Sequence, residues 1–157
     1  MKTLLKAIEY LDISLHEERN STVFFSELAD STGNPKLQKL AAEIGGQDKE
    51  HEIELARLRD TLEEQVEDGF IPEEEVVFDE NHLNTLFPNE DSALSIASSV
   101  SDREAITYAI KTEKNSIDLC ERLKQELDKE HFDVIEGIIV DKKEHISKLE
   151  SLREQFK

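Results

Sequence analysis

Cysteine is nearly absent from the chain. Cys120 stands alone in 157 residues, which excludes an internal disulfide framework, and with no CxxC pair there is no anchor for a zinc ribbon or a four-thiolate iron site. This cysteine usage fits the cytoplasm. Proline and glycine are scarce at three and five residues, so a loop-rich or disordered chain is a poor fit. Long apolar runs are missing as well: no stretch approaches the roughly 20 residues that a membrane span requires. The opening MKTLLKAIEYLD reaches Glu9 with neither a long apolar run nor a small-residue cleavage site, so it reads as a helix rather than a signal peptide. Positive charge is in deficit. Nineteen Lys and Arg against 37 Asp and Glu leave a net charge of -18, which repels phosphate backbones and anionic membrane surfaces and argues against nucleic acid or membrane as partners. The bland reading of that acidity is solubility. No Gly-rich phosphate loop and no Ser/His/Asp or Cys/His nucleophile arrangement is present, so hydrolase chemistry has no support.

What is there is helical periodicity. Ile8, Leu11, Leu15, Glu18, Ser21, Phe25 and Leu28 advance in steps of three and four, the mark of a helix with one buried face. That helix is predicted to stop in DSTGN, with Gly33 as a left-handed cap, and the next to start at Asn34 with Pro35 in its first turn. The second stripe runs Leu37, Ala41, Ile44, Asp48, His51, Leu55, Leu58, Leu62, with Gly45 and Gly46 marking a close approach or a bulge. Residues 67–100 break the period and read as a long crossover with room for a short helix. SDRE then offers Ser101 as N-cap and Glu104 as its capping-box partner. The third stripe is Ile106, Ala109, Glu113, Ser116, Cys120, Leu123, Leu127, and the fourth is Val134, Ile138, His145, Leu149, Leu152, Phe156. The expectation is one all-α domain over 1–157, a four-helix bundle of two antiparallel hairpins joined by the crossover.

The halves repeat each other. EERNSTVFFSEL at 17–28 matches TEKNSIDLCERL at 112–123, and KEH occurs in both QDKEHEIE (47–54) and DKKEHISK (141–148). The stripe Glu and the KEH histidine stand 33 residues apart in the first half (18 to 51) and 32 in the second (113 to 145). Facing helices of a duplicated hairpin then bring Glu18, Asp48, His51, Glu113 and His145 to one level of the bundle axis. Buried carboxylates must be paired, protonated or bound to a cation, and carboxylates with imidazoles are ligands that iron or manganese accepts. His16, His82 and His131 have no carboxylate in register and read as surface residues. Cys120, Tyr10 and Tyr108 read as packing, and EEEVVFDEN (73–81) as a solvated loop.

In this pattern the chain resembles the rubrerythrin-type ferritin-like proteins, in which two helices each supply a Glu and two supply a Glu-x-x-His. Glu18, Ser21, Phe24, Phe25, Leu28 and Ala29 follow the family's first helix, and Glu113, Ser116, Leu119, Cys120 and Leu123 repeat it more loosely. The resemblance implies a ferritin-like bundle, a di-iron carboxylate centre, and an iron-dependent oxidoreductase that reduces peroxide or oxygen. It also implies an external electron-donor protein, because the rubredoxin-like domain of full-length rubrerythrins has no counterpart here, and a homodimer.

The chain departs from the family at the metal ligands. Asp48 stands where a Glu precedes His51, and Lys142 where a Glu precedes His145. Charged lysine has no lone pair to offer. Glu18, Asp48 and Glu113 carry -3 and Lys142 adds +1, leaving -2, which one divalent ion neutralises. The ammonium is therefore expected to replace the second metal and to weaken peroxidase activity. Two alternatives stay open. At 100° per residue, Lys142 lies about 60° to one side of His145 and Asp141 about 40° to the other, so Asp141 can serve as a displaced ligand. Otherwise the row is a metal-free ionic core in a non-catalytic interaction or structural protein.

Overall fold

The computed structural model describes residues 2–66 and 89–156. Every element among them is helical: α1 (Lys2–Ser31), α2 (Pro35–Glu64), α3 (Glu90–Ser99), α4 (Asp102–Gln125), a single 3₁₀ turn (Lys129–His131) and α5 (Phe132–Arg153). α1 packs along α2 and α4 along α5, the two hairpins of a ferritin-like bundle. Of the expected crossover, the described end is α3. The acidic run 73–81 and His82 lie outside the described residues.

The caps explain where the helices start. Asn34 accepts from the backbone N–H groups of Lys36 and Leu37 at 3.0 Å each, with Pro35 opening α2. Ser101 accepts from the Glu104 N–H at 3.2 Å, the first half of the expected capping box. Gly33 corrects the sequence reading, because its φ is not in the left-handed region. Side chains close that turn instead: Thr32 Oγ1 accepts from the Asn34 N–H at 3.1 Å and donates to Asp102 at 2.8 Å. Gly45 faces α1 at van der Waals distance. A Cβ there would meet Phe25 Cβ at 3.4 Å, and α2 runs through both glycines as a continuous α-helix without a bulge.

Two large apolar clusters make up most of the core, with Ile13 and Leu119 forming a small third. Phe24, Phe25, Leu37, Ile44, Ile106 and Leu149 belong to one apolar cluster, and Leu11, Leu55, Leu62, Leu123, Ile135 and Ile138 to the other. Phe24 and Phe25 meet edge to face at 5.2 Å between ring centroids. On α1, Leu15 belongs to one cluster and Phe24 to the other, with Glu18 and Ser21 buried between them. The same interruption holds on α2, α4 and α5, so a polar layer crosses the bundle at one height.

Two expectations about the stripes need correction. On α5 Val134 is only half-buried. The buried row is Ile135, Ile138, Lys142, His145, Leu149 and Leu152, so Lys142 occupies the middle of the stripe and not its shoulder. α1 also buries a second face, with Ile13, Ser14, Glu17 and Asn20 at 5% exposure or less, because α3 and α4 pack on it as well as α2.

Candidate metal centre

Six titratable side chains meet in the polar layer, each 2% exposed or less: Glu18 from α1, Asp48 and His51 from α2, Glu113 from α4, and Lys142 and His145 from α5. Lys142 is at the centre. Its Nζ lies 2.7 Å from Glu18 Oε1, 3.3 Å from Asp48 Oδ1 and 3.8 Å from Glu113 Oε2. Two hydroxyls complete the wiring. Ser21 donates to Asp48 Oδ2 at 2.6 Å, and Ser116 donates to Glu18 Oε1 at 3.1 Å from the opposite hairpin.

The two histidines differ. His145 is engaged at both nitrogens, with Nδ1 2.9 Å from Glu113 Oε2 and Nε2 bonded to Gln47 Oε1. His51 is engaged at one: Nε2 is 2.8 Å from Asp141 Oδ2, while Nδ1 has no hydrogen-bond partner. That nitrogen stands 3.9 Å from Glu18 Oε2 and 3.7 Å from Asp48 Oδ1. Glu18 Oε2 and Glu113 Oε1 are likewise buried and unpartnered. Asp141 itself does not enter the layer. It is 41% exposed and reaches His51 from the solvent side, whereas Lys142 takes the interior.

Burial and charge compete over protonation. Burial pushes the Glu18 carboxyl up to about 7, outweighing the ammonium beside it. Asp48 is also pushed up by burial, but Lys142, His51 and Ser21 together hold it below the usual carboxylate range. His51 is lowered by burial and raised by more through Asp48, Glu18 and Asp141. Lys142 stays charged: three carboxylates hold its ammonium well above the ordinary lysine value despite complete burial.

Other residues fall around this layer. Cys120 is buried, and burial pushes its thiol up to about 12, with Lys142, Glu18 and Glu113 close enough to act on it. His16 is half-buried and hydrogen-bonded to Asn20 at 3.2 Å, and His131 is 15% exposed, so neither is the free surface residue expected. Glu17 was missed. It is 5% exposed, its Oε1 has no partner, and burial followed by the charge of Glu18 pushes it up to about 7. Its polar identity beside Glu18 gave no sign of burial, because a single amphipathic stripe assigns one face only.

Two groups of three donors have ligand atoms within 4.8 Å of one another: Glu18, Asp48 and His51, and Asp48, Glu113 and His145. Asp48 is shared. The first group fits a cation better, since two of its donor atoms are unpartnered, and a gap of 3.9 Å matches two ligand bonds of about 2.1 Å. In the second, both His145 nitrogens are already engaged and the ammonium stands against Glu113.

Known proteins share the fold and the family pattern. The chain superimposes with a TM-score of 0.71 on the crystal structure of a protein from Thermotoga maritima described as a ferritin-like diiron-carboxylate protein, over 96% of both chains at 19% identity. Among curated proteins none matches. The family model for rubrerythrin matches residues 9–153, spanning all four helices that carry the polar layer. With hairpins, repeat and inward-facing acids and imidazoles all in place, the chain belongs to the rubrerythrin family.

Proposed function

We propose that the polar layer is a metal centre for one divalent ion, iron or manganese, held by Glu18, Asp48 and His51, with the Lys142 ammonium standing in place of a second metal. The observation that carries this reading is the pair of buried, unpartnered donors, Glu18 Oε2 and His51 Nδ1, 3.9 Å apart. Unpaired buried polar atoms cost free energy, and a cation between them removes the cost. When bound, iron supplies one-electron chemistry toward peroxide or oxygen, with electrons coming from a separate donor. The chain's own contribution is positional. Asp141 fixes the His51 ring so that Nδ1 faces inward, the apolar clusters exclude water on both sides, and Lys142 holds Glu18 and Asp48 in place. Paired two-electron reduction needs a second ion, so family-type peroxidase activity is expected to be weak.

Elemental analysis of natively prepared protein is expected to give one iron or manganese per chain. Two would refute the ammonium substitution, and none would favour the metal-free ionic core, which the direct Lys142 contacts to Glu18 and Asp48 make the second reading. Lys142→Glu is expected to raise the stoichiometry toward two by restoring the fourth carboxylate.

Asp141→Ala is expected to weaken ion binding by about 10–100-fold while leaving the fold intact, because a partner that orients a ligating histidine has that order of effect. Competition with a chromophoric chelator measures it. An unchanged affinity would show that Asp141 does not set the ring.

A further inference from the structure

We propose that Lys142 makes this centre favour the divalent over the trivalent state of its ion, so that the site holds a metal in preference to cycling it. The inference rests on the one-ion reading above and adds a property to it. In the layer, three carboxylates share one ammonium, at 2.7, 3.3 and 3.8 Å. With both imidazoles neutral, Glu18, Asp48, Glu113 and Lys142 sum to -2. A divalent ion brings that set to zero. Removing one electron from the ion leaves a surplus of +1 in a space whose side chains are 2% exposed or less, and unit charges at such separations interact strongly where water is excluded.

The carboxylates of the layer are already shared with the ammonium and its neighbours. Glu18 Oε1 already accepts from Lys142 and Ser116, Asp48 from Lys142 and Ser21, and Glu113 from His145. Glu17 is outside both donor groups. Asp141 is spent on the outer nitrogen of His51. The ammonium cannot retreat, because it is completely buried on the central stripe of α5. A fixed positive charge beside the ion therefore disfavours trivalent over divalent occupancy. It is a specificity-determining group that touches the ligands and not the substrate.

Two measurements on the full chain test this. In the first, the potential of the iron-loaded protein is followed by mediated redox titration for wild type, Lys142→Met and Lys142→Gln. Wild type is expected to lie above both variants by roughly 59 mV or more, which is a tenfold change in the ratio of trivalent to divalent affinity. In the second, which needs no variant, manganese(II)-loaded wild type is challenged with an equal concentration of gallium(III) citrate, and manganese release is read by electron paramagnetic resonance. Retention of manganese is expected. Equal potentials, or displacement by gallium, with one ion bound per chain would overturn this inference alone. Failure to bind any ion would overturn the one-ion reading and this with it.

Discussion

Lys142→Met is expected to destabilise the metal-free protein by about 3–5 kcal/mol, the usual cost of removing one partner from a buried ionic group. Methionine matches the stem of lysine closely in volume and flexibility, so packing changes little and the loss is one of charge. Glu18, Asp48 and Glu113 then face one another with no cation among them. Urea unfolding measures the change as a lower midpoint at constant slope. Lys148, which pairs with Glu43 and Glu144 at the surface, provides the control, and its replacement by methionine is expected to be nearly silent. A loss below about 1 kcal/mol for Lys142→Met would show that the ammonium is not what compensates these acids. One bound ion per chain is expected to recover much of the loss, since it supplies the missing positive charge.

The metal-free protein is also expected to be more stable near pH 5 than near pH 8. Glu17 and Glu18 have folded values raised from 4.5 to about 7. Between those values the folded carboxyl keeps a proton that the unfolded chain has released, so stability falls as pH rises through the window. His51 acts in the same sense: its folded value is raised above 6.5, and the stability it gives below that pH is lost as pH rises through the folded value. Asp48 acts oppositely. Its folded value is lowered from 3.8, so its contribution is present above 3.8 and is lost in stronger acid. The optimum therefore falls between about pH 4 and 6. Unfolding curves from pH 4 to 8.5 check this, and a flat profile would contradict the burial of these acids. Manganese(II) is expected to flatten the neutral limb by keeping Glu18 ionised.

The stripes on α1, α2 and α4 were legible because a polar residue inside an apolar row of period 3.6 has one direction to point. Glu18, Asp48, His51 and Glu113 were read that way, and each is buried in the layer. The α5 row was read correctly from Ile138 to Leu152 except that it began at Val134 in place of Ile135 and omitted Lys142. Val134 and Ile135 are both apolar and β-branched, and only packing against the other helices decides which turns inward. Angles measured from His145 alone put Lys142 and Asp141 on opposite shoulders, with Asp141 as the alternative to Lys142 in the interior. The second buried face of α1 was not legible at all, because it depends on α3 and α4 packing on that helix as well as α2, a fact of topology rather than local pattern. The DSTGN turn was misread at Gly33 because glycine permits a left-handed cap without requiring one.

The wiring of the polar layer has a further consequence for assembly. Glu18 and Asp48 come from the α1–α2 hairpin, whereas Lys142 and the Ser116 hydroxyl come from the α4–α5 hairpin. Two first halves docked on each other would press duplicate acids together without any amine, and two second halves would keep neither Lys142–Glu18 nor Lys142–Asp48. The Lys142–Glu18 and Lys142–Asp48 pairs thus form only between unlike halves. The layer therefore fastens one hairpin to the other across the bundle axis.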